Sequence, residues 1–246
     1  MRIPRLYLDC ALQVGEILTL PEMAHRHAVQ VLRLKPGAEL CVFNGQGGQY
    51  NAHLLEVTRR QSQVRILGFT PLDTLPRLPI TLAQGIAKGE RMDYALQKAV
   101  ELGVSAVQPL FTQRTVQLDD PKRLNNRLHH WRGVIISACE QCGRVELPTL
   151  YPPQRLDQWL DAAPLANDLG IVLSPQAEHS LAQLAYTPNA VTVLIGPEGG
   201  LEERELRHAQ AKGFHAVRLG PRILRTETAA LAALSLIQAR FGDLGE

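Results

Sequence analysis

The chain has 246 residues, 45% apolar and 20% charged, which is enough to bury a sizeable core and excludes a disordered chain. Its formal net charge of +2 does not by itself point to a polyanion partner. The distribution says more: residues 1–70 carry eight Lys/Arg against five Asp/Glu, with His25, His27 and His53 beside them, so the basic excess is N-terminal.

"MRIPRLYLDC" has charge but no apolar core of a secretory signal, and the longest strongly apolar run, Ala229 to Ile237, is too short to span a bilayer. With four cysteines and no such signal, a soluble, cytoplasmic protein of a reducing compartment is expected. Cys139 and Cys142 form a CxxC without a second Cys or His pair at zinc-finger spacing, inside a helical pattern, so no metal site is expected.

In chain order, a helix is expected over Pro21 to Leu32, with His25, Val29 and Leu32 on related faces. "AELCVFNGQGGQYNAHLLEV" reads as a hairpin around Asn44 to Gly48, and "SQVRILGF" as a further strand. Several short strands in about seventy residues predict a small barrel over 1–70. Pro71, Pro76 and Pro79 predict a linker over 71–79. From Ile80 to residue 246 strands alternate with helices. "ITLAQGIA", "VSAVQPLF", "LGIVLS", "AVTVLIG" and "FHAVRLG" are strands, and "GERMDYALQKAVELG" is a helix closed by Gly103. Asp120-Pro121 starts a long helix with the stripe Leu124, Leu128, Trp131, Ile135, Ala138 and Cys142. "EERELRHAQAKG" and Thr228 to Phe241 are helices. The fold class is therefore α/β, a mostly parallel sheet covered on both faces.

Two loops carry the candidate chemistry. "IGPEGGLEERE" joins a strand to a helix, where open α/β sheets bind ligands, yet it has neither a GK[ST] ending nor GxGxxG spacing. Glu198 disfavours a phosphate, so a neutral or cationic ligand fits better. A plain turn, with Glu202, Glu203 and Glu205 favouring the helix start, explains the loop equally well. In "LGPRILRTETAALAAL", Thr226 or Thr228 can cap the last helix, but capping does not explain Arg222, Arg225 and Glu227 together. Lys98 and Glu101 read as a surface i,i+3 pair.

"KGERMDYALQKAVELGV", "ACEQCGR", "LIGPEGGLEERE" and "LGPRILRTETAALAALSLIQ", in this order, resemble the successive signatures of the RsmE family, bacterial ribosomal RNA methyltransferases of the SPOUT superfamily. "MRIPRLYL" and "HAVQVLRLKPGAEL" resemble the family's start, so the likeness covers essentially the whole chain. At Cys142 the family carries serine at least as often, a near-isosteric exchange.

The resemblance implies an N-terminal PUA-like RNA-binding β-barrel and a C-terminal SPOUT-type α/β domain with a trefoil knot. It implies a homodimer that uses S-adenosyl-L-methionine to methylate N3 of a uridine in 16S ribosomal RNA of the small subunit. By similarity, Leu173, Ile195, Gly196, Gly199, Leu219, Gly220, Ile223, Leu224 and Arg225 line the cofactor pocket. Arg225 either stabilises the deprotonated uracil or orients the cofactor, and Glu140 or Glu227 accepts the proton. For RNA docking, Arg2, Arg5, Arg26, Arg33 and Lys35 lie in the barrel domain. Arg114, Lys122, Arg123, Arg127, Arg132 and Arg144 cluster around the long helix. Two other readings stay open: a noncatalytic RNA-binding ribosome-assembly factor, and a nucleotide-dependent α/β enzyme using the GPEGG loop.

Overall fold

Alternation of apolar residues with period two, then with period 3.6, sorts the chain into strands and helices that close around separate cores. The computed structural model describes residues 3–115, 120–162, 165 and 168–245, so Arg2 lies outside the described residues. The chain divides into two units, one of residues 1–75 with 136–147, the other of 76–135 with 148–246.

The first unit holds strands β1 (Arg5–Tyr7), β2 (Ile17–Thr19), β3 (Glu39–Phe43), β4 (Gly48–Val57) and β5 (Ser62–Pro71), with helix α1 (Glu22–Arg26). They form one mixed sheet in the order β1-β3-β4-β5-β2; β1 runs parallel to β3 and the other pairs are antiparallel. Register shifts between Asn51 and Ala52 and between Leu54 and Glu56 bend the long β4/β5 pair. The sheet closes over Leu6, Leu40, Val42, Leu54, Val64 and Ile66, with Ala24 and Ala28 packed on them. Pro71, expected to open a linker, instead ends β5 opposite Gly48. As an edge residue it gives up no ladder bond that the sheet needs.

The helix expected over Pro21 to Leu32 narrows to α1 and then widens into a π-helical turn, His27–Val31. The wider turn fits the burial of Ala28, and Arg33 follows at φ 53°, a left-handed conformation uncommon for a residue with a Cβ.

In the second unit the strands are β6 (Ile80–Gly85), β7 (Ala106–Phe111), β8 (Thr149–Leu150), β9 (Gln154–Arg155), β10 (Leu169–Leu173), β11 (His179–Ser180), β12 (Val191–Ile195) and β13 (His215–Arg218). The helices are α2 (Glu90–Glu101), α3 (Pro121–Cys142), α4 (Leu156–Ala162), α5 (Glu203–Ala211) and α6 (Thr226–Phe241). The sheet order is β11-β13-β10-β12-β6-β7-β8, with β9 also on β7, and every pairing is parallel. Alternate residues serve opposite faces. Leu82, Ile171 and Val193 pack with Met92 and Leu96 of α2, Trp131 of α3 and Leu234 and Ile237 of α6. Ala83, Val172 and Leu194 pack with Leu156 and Leu160 of α4 and Ala209 of α5. This is the α/β class the alternating pattern predicts.

The punctuation works as read. Gly103 closes α2 at φ 79°, with Val104 N–H donating to Ala99 O and Gly103 N–H to Val100 O. Asp120 accepts from Lys122 N–H at 2.9 Å at the head of α3. Lys98 and Glu101 pair at 2.8 Å.

The last third of α3 and the loop after it, residues 136–147, group with the first unit, which a linear partition at 71–79 does not contain. There Tyr7 N–H donates to Glu140 Oε1 at 2.9 Å, and His27 Nδ1 lies 2.9 Å from Glu140 Oε2. That hydrogen bond raises the His27 pKa above its ordinary value; partial burial opposes it and the carboxylate's charge adds to it. A raised folded-state value gives stability that is fully present below about pH 6.5 and lost as pH rises through the folded value. The melting temperature of the wild type should therefore exceed that of His27→Gln by more at pH near 6 than at pH near 9. A difference independent of pH would show that the pair carries no charge.

Candidate functional site

Strands β13, β10 and β12 are neighbours, and the chain leaves all three at their carboxyl ends through loops that converge. A cavity of about 690 Å³ lies between these loops. Leu173, Ser174 and Gln176 come from the β10 end, Ile195 to Leu201 from the β12 end, and Leu219, Gly220 and Arg222 to Leu224 from the β13 end. Thr226 and Ala229 close it from α6 and Arg114 from the β7 end. Its size and its mostly apolar walls with few polar groups suit one small organic ligand.

The β12 loop is held by its own residues. Glu202 caps α5 in a reciprocal box with Glu205, whose carboxylate also accepts from Gln113 N–H at 2.9 Å. Glu198 accepts from Lys88 N–H at 2.8 Å and from Arg91 at 2.9 Å. Burial works to raise its pKa, but the Lys88 N–H, its own backbone and Arg91 outweigh that and hold it below the ordinary carboxylate range. The carboxylate is thus bound to the start of α2, an anchor for the glycine-rich turn. Gly196 is required sterically: a Cβ there would lie 2.8 Å from Gly200 C and Leu201 N.

Of the residues expected at the cofactor pocket, Leu173, Ile195, Gly196, Gly199, Leu219, Gly220, Ile223 and Leu224 line this cavity, and Arg225 does not. Arg225 is exposed at the N-cap of α6, between the two lining residues Leu224 and Thr226, and has no hydrogen-bond partner among the described residues. The threonines do not cap that helix as expected. It starts at Thr226, two residues early, with no side-chain cap; the Thr226 hydroxyl instead donates to Gly196 O at 2.6 Å. Glu227 follows, with a buried Oε2 that has no partner among the described residues. Glu140 belongs to the first unit, where Tyr7 and His27 engage both its oxygens.

The arginines expected to meet RNA fall into different settings. Arg26, Arg33 and Lys35 are exposed in the first unit, and Lys122, Arg123, Arg127 and Arg132 are exposed on α3, with Arg123 3.4 Å from Asp120. Two assignments need correction. Arg144 is 8% exposed, too enclosed for phosphate contact. Arg5, half-buried, spends its guanidinium on Gly143 O, Arg144 O and Gln49 and lies over the Phe43 ring, holding the loop after α3. Arg114 reaches Gly199 O and lies at the cavity. Within the CxxC, burial pushes the Cys139 thiol up to about 12, so it is not a thiolate at neutral pH.

Sequence reasoning missed Ser174, Gln176 and the place of Arg222 at the cavity, and above all Gln84. A glutamine in the apolar run "ITLAQGIA" is the signal that was available for the last.

A family model described as an RNA methyltransferase domain matches residues 74–238, and one described as an RNA methyltransferase PUA domain matches 25–67. The chain is 35% identical over 243 residues to the ribosomal RNA small subunit methyltransferase E of Buchnera aphidicola subsp. Schizaphis graminum, covering 99% of this chain and 98% of that protein. It belongs to the ribosomal RNA small subunit methyltransferase E family. As a member of that family it also resembles two solved structures over nearly its whole length. A methyltransferase from Legionella pneumophila with bound SAM is 40% identical at TM-score 0.94, covering 99% of this chain and 100% of that one. The Neisseria gonorrhoeae ribosomal RNA small subunit methyltransferase E bound to S-adenosyl methionine is 38% identical at TM-score 0.89, covering 98% and 99%. The N-terminal mixed sheet is accordingly the PUA part of the family architecture and the parallel sheet its methyltransferase part.

Proposed function

We propose that this chain transfers a methyl group from S-adenosylmethionine to N3 of a uridine in the 16S RNA of the small ribosomal subunit. The observation that carries the reading is the cavity at the carboxyl ends of β10, β12 and β13, lined by glycine-rich backbone and aliphatic side chains together with a few polar ones, Arg114 and Arg222 among them. It offers no phosphate cradle, and the one carboxylate in its glycine turn is already tied to Lys88 and Arg91. A ligand with an adenine, a sulfonium and an amino-acid tail but no phosphate fits such walls. Backbone groups of the β12 and β13 loops read the adenine, and the guanidinium of Arg114 or Arg222 suits the carboxylate.

When bound, the cofactor would supply an electrophilic methyl group, with a neutral thioether as the leaving group. The chain must make uridine N3, a poor nucleophile while protonated, into a good one. Arg225, exposed beside the cavity, donates to a uracil carbonyl oxygen and stabilises the N3 anion. Glu227 takes the N3 proton in preference to Glu140, because its buried Oε2 lacks a partner among the described residues whereas both Glu140 oxygens are engaged.

The PUA unit over 1–70 docks RNA through Arg26, Arg33 and Lys35, and α3 adds Arg123 and Arg127. Replacing Arg26, Arg33 and Lys35 together by alanine should flatten the slope of log affinity against log salt by about 2 to 3, with cofactor affinity unchanged. An unchanged slope would place the RNA elsewhere. A trefoil knot in the 80–246 domain and a homodimer belong to the same proposal. The half-buried Leu231 and Ala232 and the exposed Leu236 of α6 form an apolar face suited to a second copy, which sedimentation would test. No helix among the described residues is long and apolar enough to cross a membrane, in keeping with work on ribosomes in the cytoplasm.

The test is label transfer from S-adenosylmethionine to small ribosomal subunits and to naked 16S RNA, followed by mapping of the modified base. Label on N3 of one uridine is expected; no label on either substrate would overturn the reading.

A further inference from the structure

Gln84 is the next-to-last residue of β6 and is fully buried, and Thr226 opens α6 at 5% exposure. Gln84 Nε2 donates to Thr226 Oγ1 at 2.9 Å and to Gly85 O at 2.9 Å. Because the threonine oxygen accepts there, its single proton is left for Gly196 O, 2.6 Å away. We propose that Gln84 and Thr226 form a relay that fixes the Gly196 peptide in the wall of the cofactor cavity and are positioning residues for methyl transfer. This rests on the cofactor reading of that cavity.

Three observations favour positioning over simple packing. Thr226 is the first helical residue, one past the N-cap Arg225, and its hydroxyl is spent on Gly196 O, 30 residues away in sequence, rather than within its own helix. Gln84 Oε1 is buried without a partner among the described residues, so the glutamine carries an unmet acceptor that an apolar side chain of the same length would avoid. What the residue adds is therefore its donor. Finally, the peptide is already wedged. A Cβ on Gly85 would lie 2.7 Å from Pro197 N, and one on Gly196 2.8 Å from Gly200 C. Sterics set where the Gly196 peptide sits, and the relay sets how it is turned. With its carbonyl taken by Thr226, the β12 loop presents one fixed set of backbone groups to the ligand, and the ends of β6, β12 and α6 are linked as one body.

The test uses the full-length protein, titration with S-adenosylhomocysteine and thermal melts. Thr226→Val and Gln84→Met should each weaken binding about tenfold. Thr226→Ser, which keeps the hydroxyl, should bind as wild type does. The double variant Gln84→Met/Thr226→Val should bind no more weakly than the weaker single variant, since both break one relay. Gln84→Met should lose affinity without a matching loss of melting temperature; if Thr226→Val does not fold, this variant decides. Wild-type binding with unaffected variants, additive losses, or affinity that merely follows melting temperature would overturn the relay alone. A wild type that does not bind S-adenosylhomocysteine overturns the cofactor reading and the relay with it.

Discussion

Arg225→Ala is expected to lower methyl transfer about 100- to 1,000-fold, the loss that follows removal of a donor aimed at developing negative charge, with S-adenosylhomocysteine affinity staying near wild type. The expectation comes from where the side chain sits. Its two neighbours, Leu224 and Thr226, line the cavity; Arg225 itself does not, and its guanidinium is exposed and uncommitted among the described residues. A cation in that position meets what arrives at the cavity rather than what fills it. Arg225→Lys retains the charge but not the planar fork, and recovers only part of the rate. Single-turnover kinetics with saturating cofactor measure the effect directly. Should cofactor affinity fall in step with turnover, Arg225 holds the cofactor and the anion must be stabilised by another group.

Gly196→Ala is the second large effect. The added methyl would meet backbone atoms of Gly200 and Leu201 at 2.8 Å, and backbone cannot rotate aside as a side chain can. The β12 turn has to open, and both the Thr226 bond to Gly196 O and the cavity wall open with it. Cofactor affinity should drop about 10- to 100-fold. Gly199→Ala is the control: its methyl would meet the flexible Arg114 side chain at 3.0 Å, which can swing away, so a much smaller loss is expected. Isothermal titration of both variants checks the pair, and equal losses would mean that the turn has no rigid wall.

How much of this was legible in the sequence follows from the range of the interactions. Local rules found what local physics decides. The apolar runs became β10 and β12, Asp120-Pro121 became the head of α3, and Gly103 became the end of α2. The converging loops at the cavity were legible too, because glycines and a strand-to-helix step mark them. What escaped were choices made by distant partners. No spacing shows that Arg5 will meet the carbonyls of Gly143 and Arg144, 138 and 139 positions away, or that Arg144 will be enclosed. A threonine before a helix looks like a cap until Gln84, 142 positions earlier, directs its proton elsewhere. The π-helical turn was hidden for another reason: its apolar spacing differs from that of an α-helix by less than five residues can reveal.

The grouping of residues 136–147 with the first unit bears on how such proteins can be cut and recombined. A fragment ending at residue 75 would hold all five strands of the PUA sheet, yet it would leave Tyr7 N–H and His27 without Glu140, and Arg5 without the carbonyls of Gly143 and Arg144. The unit is a module in space but not in the gene. Exchanging it between relatives by a single crossover would strand a dozen residues on the wrong side, so functional chimaeras should require two exchanges, and natural sequences should have inherited both segments together.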